Sequence, residues 1–429
     1  MNSKPKEKVA GSRRLARPLW VTSCRSRLGL QRWALLWIGL PFLSMPAGCG
    51  SSADDGTAPR IVDARPDFGW NGILAAEGST VAVAYGGLSS DTGTYVARSN
   101  DGGASFDPAK RVLVDVRGGT PEDLTVAGET IYLTYQVVVD AGRYEVRIAR
   151  SDDGGQSFTI QGVALGIGPA LLVNGATLYL AYNPQAGPEP GAPLFQRSDD
   201  GGLTWSAAVV ISPTATAGPI SVDGLLNRTL SLGSSGGTLY LSFYDASSNT
   251  QRIAHSSDSG ENWIVETGQD LLATASMVTV GDDLVLPLVD AQNRSFISQS
   301  NDHGATWTRH RFDVAGGEYG NNPVGDVFDS TIAGPHLVSN GSKLYAIFNQ
   351  GSTETRPFAV GFARSDDQGA TWPAASVTTP FAQSTSGLFP AERARIVVSP
   401  APVPALLISI FDGTHLRVLR STDDGATWR

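Results

Sequence analysis

The stretch Ser198-Asp-Asp-Gly-Gly-Leu-Thr-Trp205 decides the fold, because it is one of seven. Ser, Asp, Gly and an aromatic recur at the same offsets in Ser99–Phe106, Ser151–Phe158, Ser256–Trp263, Ser300–Trp307, Ser365–Trp372 and Ser421–Trp428. Successive copies start 52, 47, 58, 44, 65 and 56 residues apart, a spacing at which each repeat is one supersecondary unit. The octapeptide has the chemistry of a turn. Its Asp (Asp101, Asp153, Asp200, Asp258, Asp302, Asp367, Asp423) can accept from backbone N–H groups two residues on. The Gly two residues after the Asp supplies a positive φ without steric cost, and the aromatic enters the next strand and packs between sheets.

Outward from each turn the flanks repeat as well. An alternating apolar run lies upstream: Val81–Tyr85, Ile131–Tyr135, Leu178–Tyr182, Leu239–Phe243, Leu284–Leu288, Leu344–Phe348 and Leu406–Ile410. Each reads as a half-buried strand. A shorter strand runs into the turn (Tyr95–Arg98, Arg147–Arg150) and another follows it (Arg111–Val114, Ala208–Ile211). With a strand ahead of the alternating run (Ile73-Leu-Ala-Ala, Pro169-Ala-Leu-Leu), the unit has four strands, which is one propeller blade. A lone four-stranded sheet cannot bury both faces, so the units must stack. The expected fold is all-β, a seven-bladed β-propeller. The last unit stops at Arg429 without its fourth strand, and Pro59–Ala64 is the spare strand expected to complete it and close the ring. Six blades is the alternative.

Composition agrees with a large repeat fold. The chain has 429 residues, and 41% of them are hydrophobic, ample for a core. Two Cys cannot carry a disulfide framework or a Cys-based zinc site, and the five His show no metal-ligand spacing, so no metal and no cofactor are expected. Charge is unevenly placed. Residues 1–48 hold nine basic side chains and one acid, so the net −9 of the chain leaves −17 on the rest. A body this acidic repels phosphate backbones and excludes nucleic acid as a partner.

The first residues read as an address. After the basic stretch to Arg32 comes a 13-residue apolar segment, Trp33–Met45, too short to span a bilayer and suited to a secretory signal. Pro46-Ala-Gly-Cys49 and a polar linker follow. This resembles a bacterial lipoprotein signal, which implies cleavage before Cys49 and acylation of that residue. The other reading is a plain cleaved signal with an incidental Cys49. The expected organisation is 1–48 signal peptide, 49–58 lipidated Cys and linker, 59–429 one propeller domain. It implies an exported monomer, lipid-anchored in the cell envelope, periplasmic or surface-facing.

The octapeptide resembles the Asp box, or bacterial neuraminidase repeat, of the sialidase superfamily, and the resemblance covers residue 60 to the end. It implies that the boxes are structural and lie away from catalytic centres. Sialidases hold the sugar carboxylate with three Arg, protonate the leaving group with an Asp, and use a Tyr activated by a Glu as nucleophile. Their first Arg sits on the first strand of the first blade, where this chain reads Phe68-Gly-Trp-Asn-Gly-Ile-Leu74. Neither Trp nor Asn replaces bidentate Arg recognition of a carboxylate. The candidates that the resemblance leaves for chemistry are Asp91, Glu318 and Tyr319, and for ligand binding Arg228, Arg393, Arg395, Asp326 and Asp329. The reading that follows is a membrane-anchored, non-catalytic propeller that binds a glycan or an envelope protein. A divergent exo-sialidase or other glycoside hydrolase is the alternative, and an exported assembly scaffold a third.

Overall fold

The computed structural model describes residues 60–63, 68–87, 92–140, 142–185, 192–212, 221–222, 225–226, 230–245, 250–266, 277–289, 295–312, 314, 336–350, 359–382, 394–400, 404–412 and 415–429. All of these fall in the compact unit Asp54–Arg429, and the expected signal and linker lie outside them. Strand β1 (Arg60–Asp63) precedes an antiparallel sheet of β2 (Phe68–Glu77), β3 (Thr80–Gly87), β4 (Thr94–Ser99) and β5 (Val112–Asp115). One seven-stranded sheet then holds β6 (Thr120–Ala127), β7 (Thr130–Asp140), β8 (Arg143–Ser151), β9 (Thr159–Asn174), β10 (Thr177–Pro184), β11 (Leu194–Ser198) and β12 (Val209–Val210). A hairpin of β13 (Ser221–Val222) and β14 (Leu225–Leu226) stands between β12 and the next sheet.

Three further four-stranded sheets follow. The first is β15 (Leu230–Ser235), β16 (Thr238–Asp245), β17 (Thr250–Ser256) and β18 (Ile264–Val265). The second is β19 (Val278–Val280), β20 (Asp283–Val289), β21 (Ser295–Ser300) and β22 (Thr308–Arg311). The third is β23 (His336–Ser339), β24 (Leu344–Gln350), β25 (Ala359–Ser365) and β26 (Thr378–Ala382). Last come β27 (Arg395–Ser399), β28 (Ala405–Phe411) and β29 (Leu416–Ser421). Their sheet gains its fourth strand from the other end of the chain, since β1 pairs antiparallel with β29, Arg60 opposite Val418. The fold is all-β and propeller-like: among the described residues it has five four-stranded sheets, one of seven strands and the two-stranded hairpin. Among the described residues the helical segments are two three-residue 3₁₀ turns, Pro108–Lys110 and Ala374–Ser376.

Strand β9 explains the large sheet. Its first half pairs with β8 (Thr159 opposite Arg150, Leu165 opposite Glu145) and its second half with β10 (Gly166 opposite Pro184, Asn174 opposite Thr177). One continuous strand thus ends one four-strand unit and begins the next. The first strands of successive units touch in order, β2 to β6, β9, β15, β19, β23 and β27, and β27 in turn touches β2.

The alternating runs behave differently from the half-buried strands expected of them. Val81–Tyr85 and Ile131–Tyr135 are buried at every position, small and polar residues such as Ala82, Ala84 and Thr134 included. The cause is packing on both faces. Ala82 and Ala84 join Leu124 and Leu133 of the following unit, whereas Val81, Val83 and Tyr85 join Val62, Leu407 and Val418 of the last. Seven such clusters occur among the described residues, and each joins two neighbouring units. Box aromatics fill these seams as the sequence led one to expect. Trp263 packs edge-on against Phe195 at 5.1 Å, Trp372 against Phe312 at 4.9 Å and Trp428 against Phe362 at 5.1 Å, in each case on the preceding unit.

Candidate functional site

All seven boxes are described, and one geometry serves them all. The Ser Oγ donates to the Asp Oδ1 (2.5–2.8 Å) and accepts from the N–H of the fifth-position Gly (2.7–3.0 Å). Asp Oδ1 also accepts the seventh residue's N–H at 2.8–3.0 Å, and Oδ2 accepts that residue's side chain at 2.5–2.7 Å. These bonds reach four residues on, not the two of the expected Asx-turn. The backbone gives the reason. Positions four and five are both left-handed, with φ of 57–72° and 78–98°, so the chain coils around the carboxylate. Among the described residues, the four non-glycines with positive φ, Ser259, His303, Gln368 and Asp424, all stand at position four.

A carboxylate caged in this way is hard to protonate. The Thr204 hydroxyl above all holds Asp200 down to about 2, the Asn262 backbone N–H does so for Asp258, and the Thr306 hydroxyl for Asp302. Their pKa values in the folded protein lie below the ordinary 3.8, so the stability they add is present above pH 3.8 and is lost as pH falls toward 2. Acid unfolding, followed by fluorescence of the box tryptophans, should therefore steepen between about pH 4 and 2 and flatten there in Asp258→Asn. A transition complete above pH 4.5 in the parent protein would contradict this.

The boxes also clasp one another. The residue before a box Ser often reaches the box of the next unit: Arg98 Nη1 donates to Gly154 O, Arg150 Nη1 to Gly201 O at 2.8 Å, and Gln299 Nε2 to Gln368 O. Arg420 Nε returns from the last unit to Gly102 O of the first at 2.9 Å. The Tyr240 hydroxyl meets His303 Nδ1, and the Tyr345 hydroxyl donates to Asp424 at 3.1 Å.

A second polar set lies at the opposite strand ends. Asp63, fully buried, accepts from the Tyr85 hydroxyl at 3.0 Å, with Arg111 Nε at 3.6 Å. Asp115 accepts from Tyr135 at 2.9 Å, Arg147 Nη1 at 2.8 Å and the Arg117 N–H at 2.9 Å, and Arg147 also pairs with Glu145 at 2.6 Å. In both cases the acid ends the last strand of one unit and the Tyr lies on the second strand of the next. Burial works against the Asp115 charge, but Arg117 N–H, Tyr135 and Arg147 outweigh it and keep its pKa below the ordinary value. Burial, and then the Asp115 charge, pushes the Tyr135 phenol up. This phenol donates its hydrogen bond to Asp115. Sequence reasoning missed this set, although an acid about twenty residues ahead of a Tyr in an alternating strand was its visible signal.

Of the residues proposed for chemistry or ligand binding, Asp91, Arg228, Glu318, Tyr319, Asp326, Asp329 and Arg393 lie outside the described residues, as does Cys49. Arg395 is described. It opens β27 opposite Ser409, half-buried, and its Nη1 donates to Ala394 O at 3.2 Å. No group of three or more His, Cys, Asp or Glu among the described residues is placed to hold a metal ion.

Comparison with known proteins places these features. A family model described as the BNR/Asp-box repeat matches residues 196–207, the third box. No curated protein matches the chain in sequence. Among solved structures, the GH74 xyloglucanase from Xanthomonas campestris is similar over 86% of this chain and 54% of its own, at 14% identity and a TM-score of 0.54. A Hadza microbial sialidase is similar over 79% of this chain and 75% of its own (16% identity, TM-score 0.46). Trypanosoma rangeli sialidase is similar over 75% and 56% (14% identity, TM-score 0.44). The chain thus spans just over half the length of the xyloglucanase and of the Trypanosoma enzyme. The chain carries a match to the BNR/Asp-box repeat at residues 196–207 and has a propeller-like fold.

Proposed function

We propose that the chain is a seven-bladed Asp-box propeller, exported and anchored in the bacterial envelope through Cys49, that binds a glycan or an envelope protein without catalysis. The blade count is supported by the double service of β9, by the seven two-unit core clusters and by the contact of β27 with β2. Pairing of β1 with β29 supplies the closing strand.

One observation carries the absence of catalysis. Strand β2 opens the first unit with the sequence FGWNGILAAE, and no Arg stands where a sialidase needs its first carboxylate ligand. The described Tyr–carboxylate pairs do not repair that loss, because they are buried donors. Incubation with fluorogenic sialosides and aryl glycosides should give no turnover. Turnover that disappears in Asp91→Ala or Tyr319→Phe would sink the reading and make the protein a divergent glycoside hydrolase. For the anchor, Cys49→Ala should release the protein from the membrane fraction; retention there would refute lipidation.

A further inference from the structure

An Asn or Asp followed by Gly is open to attack by its own backbone, because Gly puts no side chain beside the nitrogen. The fold disarms most such pairs among the described residues. In the boxes, Asp101, Asp153 and Asp200 sit in the cage described above, and the next N–H is engaged. Gly102 N donates to Ser79 O at 2.8 Å, Gly154 N to Glu129 O at 2.9 Å and Gly201 N to Ala176 O at 3.0 Å. Asp424 is held by Lys343 and Tyr345, and Gly425 N donates to Ser421 Oγ at 2.8 Å. Asn340 is tied at both ends of its carboxamide: Nδ2 donates to the Tyr345 hydroxyl at 2.9 Å, and Oδ1 accepts the Lys343 N–H at 3.3 Å. Gly341 N donates to Ser339 Oγ at 3.0 Å. Gly72, after Asn71, is buried against Leu416. Asn174-Gly175 has no such restraint. Asn174 ends β9 and pairs with Thr177 across the two-residue turn Gly175-Ala176. All three of Asn174, Gly175 and Ala176 are exposed, and a Cβ on Gly175 would meet nothing within 4 Å. Neither the Asn174 carboxamide nor the Gly175 N–H has a hydrogen-bond partner among the described residues.

We propose that Asn174-Gly175 is a site of spontaneous covalent modification, deamidation with isoaspartate formation, and that the change loosens the third box. The Gly175 nitrogen, once it has given its proton to hydroxide, attacks Asn174 Cγ. The new N–Cγ bond closes a succinimide, the Cγ–Nδ2 bond breaks, and the amide leaves as ammonia with a proton from water. Water then opens the ring. Breaking the nitrogen's bond to Cγ gives aspartate, and breaking its bond to the Asn174 backbone carbon gives isoaspartate. Isoaspartate lengthens the main chain by a methylene beside a two-residue turn. That turn supplies Ala176 O to Gly201 N of the third box, and Thr177 Oγ1 donates to Asp199 at 3.3 Å. A displaced turn therefore withdraws the acceptor from a box N–H that has no other.

Incubation of the full chain in mildly alkaline buffer, followed by peptide mapping with the aspartate and isoaspartate products resolved, tests the site. In the folded protein Asn174 should convert at least about tenfold faster than Asn340, which reacts only after its bonds open. In concentrated urea both asparagines simply precede Gly in an unfolded chain, so the two rates should converge. Tyr345→Phe frees Asn340 Nδ2 and should raise the Asn340 rate while leaving that of Asn174 unchanged. The aged parent protein should show a lowered thermal midpoint, and Asn174→Ser, which lacks the amide, should keep its midpoint through the same incubation. Equal rates at the two sites in the folded protein, a faster Asn340, or an intact folded Asn174 when the urea-treated chain has converted would overturn the site. A midpoint that holds while isoaspartate accumulates would overturn the link to the third box.

Discussion

Gly260→Ala should cost about 3 kcal/mol or prevent folding, whereas Gly78→Ala should cost about 1 kcal/mol. Both glycines have positive φ, +93° at Gly260 and +57° at Gly78, so both substitutions carry the left-handed penalty of about 1–2 kcal/mol. They differ in what a Cβ would meet. At Gly78 nothing lies within 4 Å, but at Gly260 the new carbon would stand 2.0 Å from Phe195 Cε1 and 2.4 Å from Cζ. Phe195 has nowhere to go. It is 2% exposed, stacked on Tyr179 at 6.0 Å and held edge-on by Trp263 at 5.1 Å. Overpacking a filled core typically adds about 1–3 kcal/mol. The fifth box position is therefore where the turn of one unit seats on the core of its neighbour. Urea unfolding of the two variants measures the difference, and equal midpoints would show that the box closes its own turn without serving as a packing surface.

Much of this was legible in the sequence, and the parts that were not share a cause. The octapeptide is local, so its turn, its Gly at position five and its inward aromatic follow from eight residues. The left-handed fourth position does not, because Ser259, His303, Gln368 and Asp424 hide a conformation that Gly102, Gly154 and Gly201 display openly. Pro169-Ala-Leu-Leu, read as a strand of one unit, is part of the longer β9, which also holds Gly162, Gly166 and Gly168. In the fold they are points of close approach: a Cβ at Gly162 would lie 2.6 Å from the Glu145 carboxylate and one at Gly166 2.7 Å from the Tyr182 ring. The burial of Val81–Tyr85 on both sides depends on stacking between units, which periodicity within one strand cannot reveal. Of the candidate binding residues, Arg395 is described and belongs to β27; the others lie outside the described residues.

Asp115→Ala should lower stability by about 3 kcal/mol, and Tyr135→Phe by about 1 kcal/mol. The asymmetry follows from what each substitution leaves behind. Loss of the carboxylate strands three donors: the fully buried Tyr135 hydroxyl, the Arg117 N–H, and an Arg147 that keeps only Glu145. A buried cation deprived of a partner, with an unpaired hydroxyl beside it, carries most of the cost. Loss of the phenol oxygen removes one bond, while Asp115 keeps Arg147 and Arg117 and stays an anion. The exposed pair Arg143–Asp140, on the hairpin of the same unit, is the control, and Asp140→Ala should not move the midpoint measurably. The acid of the first unit holds the Tyr of the second, so the bond acts between units; its removal should loosen that interface before the sheets themselves. Hydrogen exchange would then rise first at β5 and around Tyr135 of β7 in Asp115→Ala. If exchange rose evenly across all the sheets, or if Asp115→Ala proved as mild as Asp140→Ala, the buried pair would be a passenger in the seam and the apolar clusters alone would hold the units together.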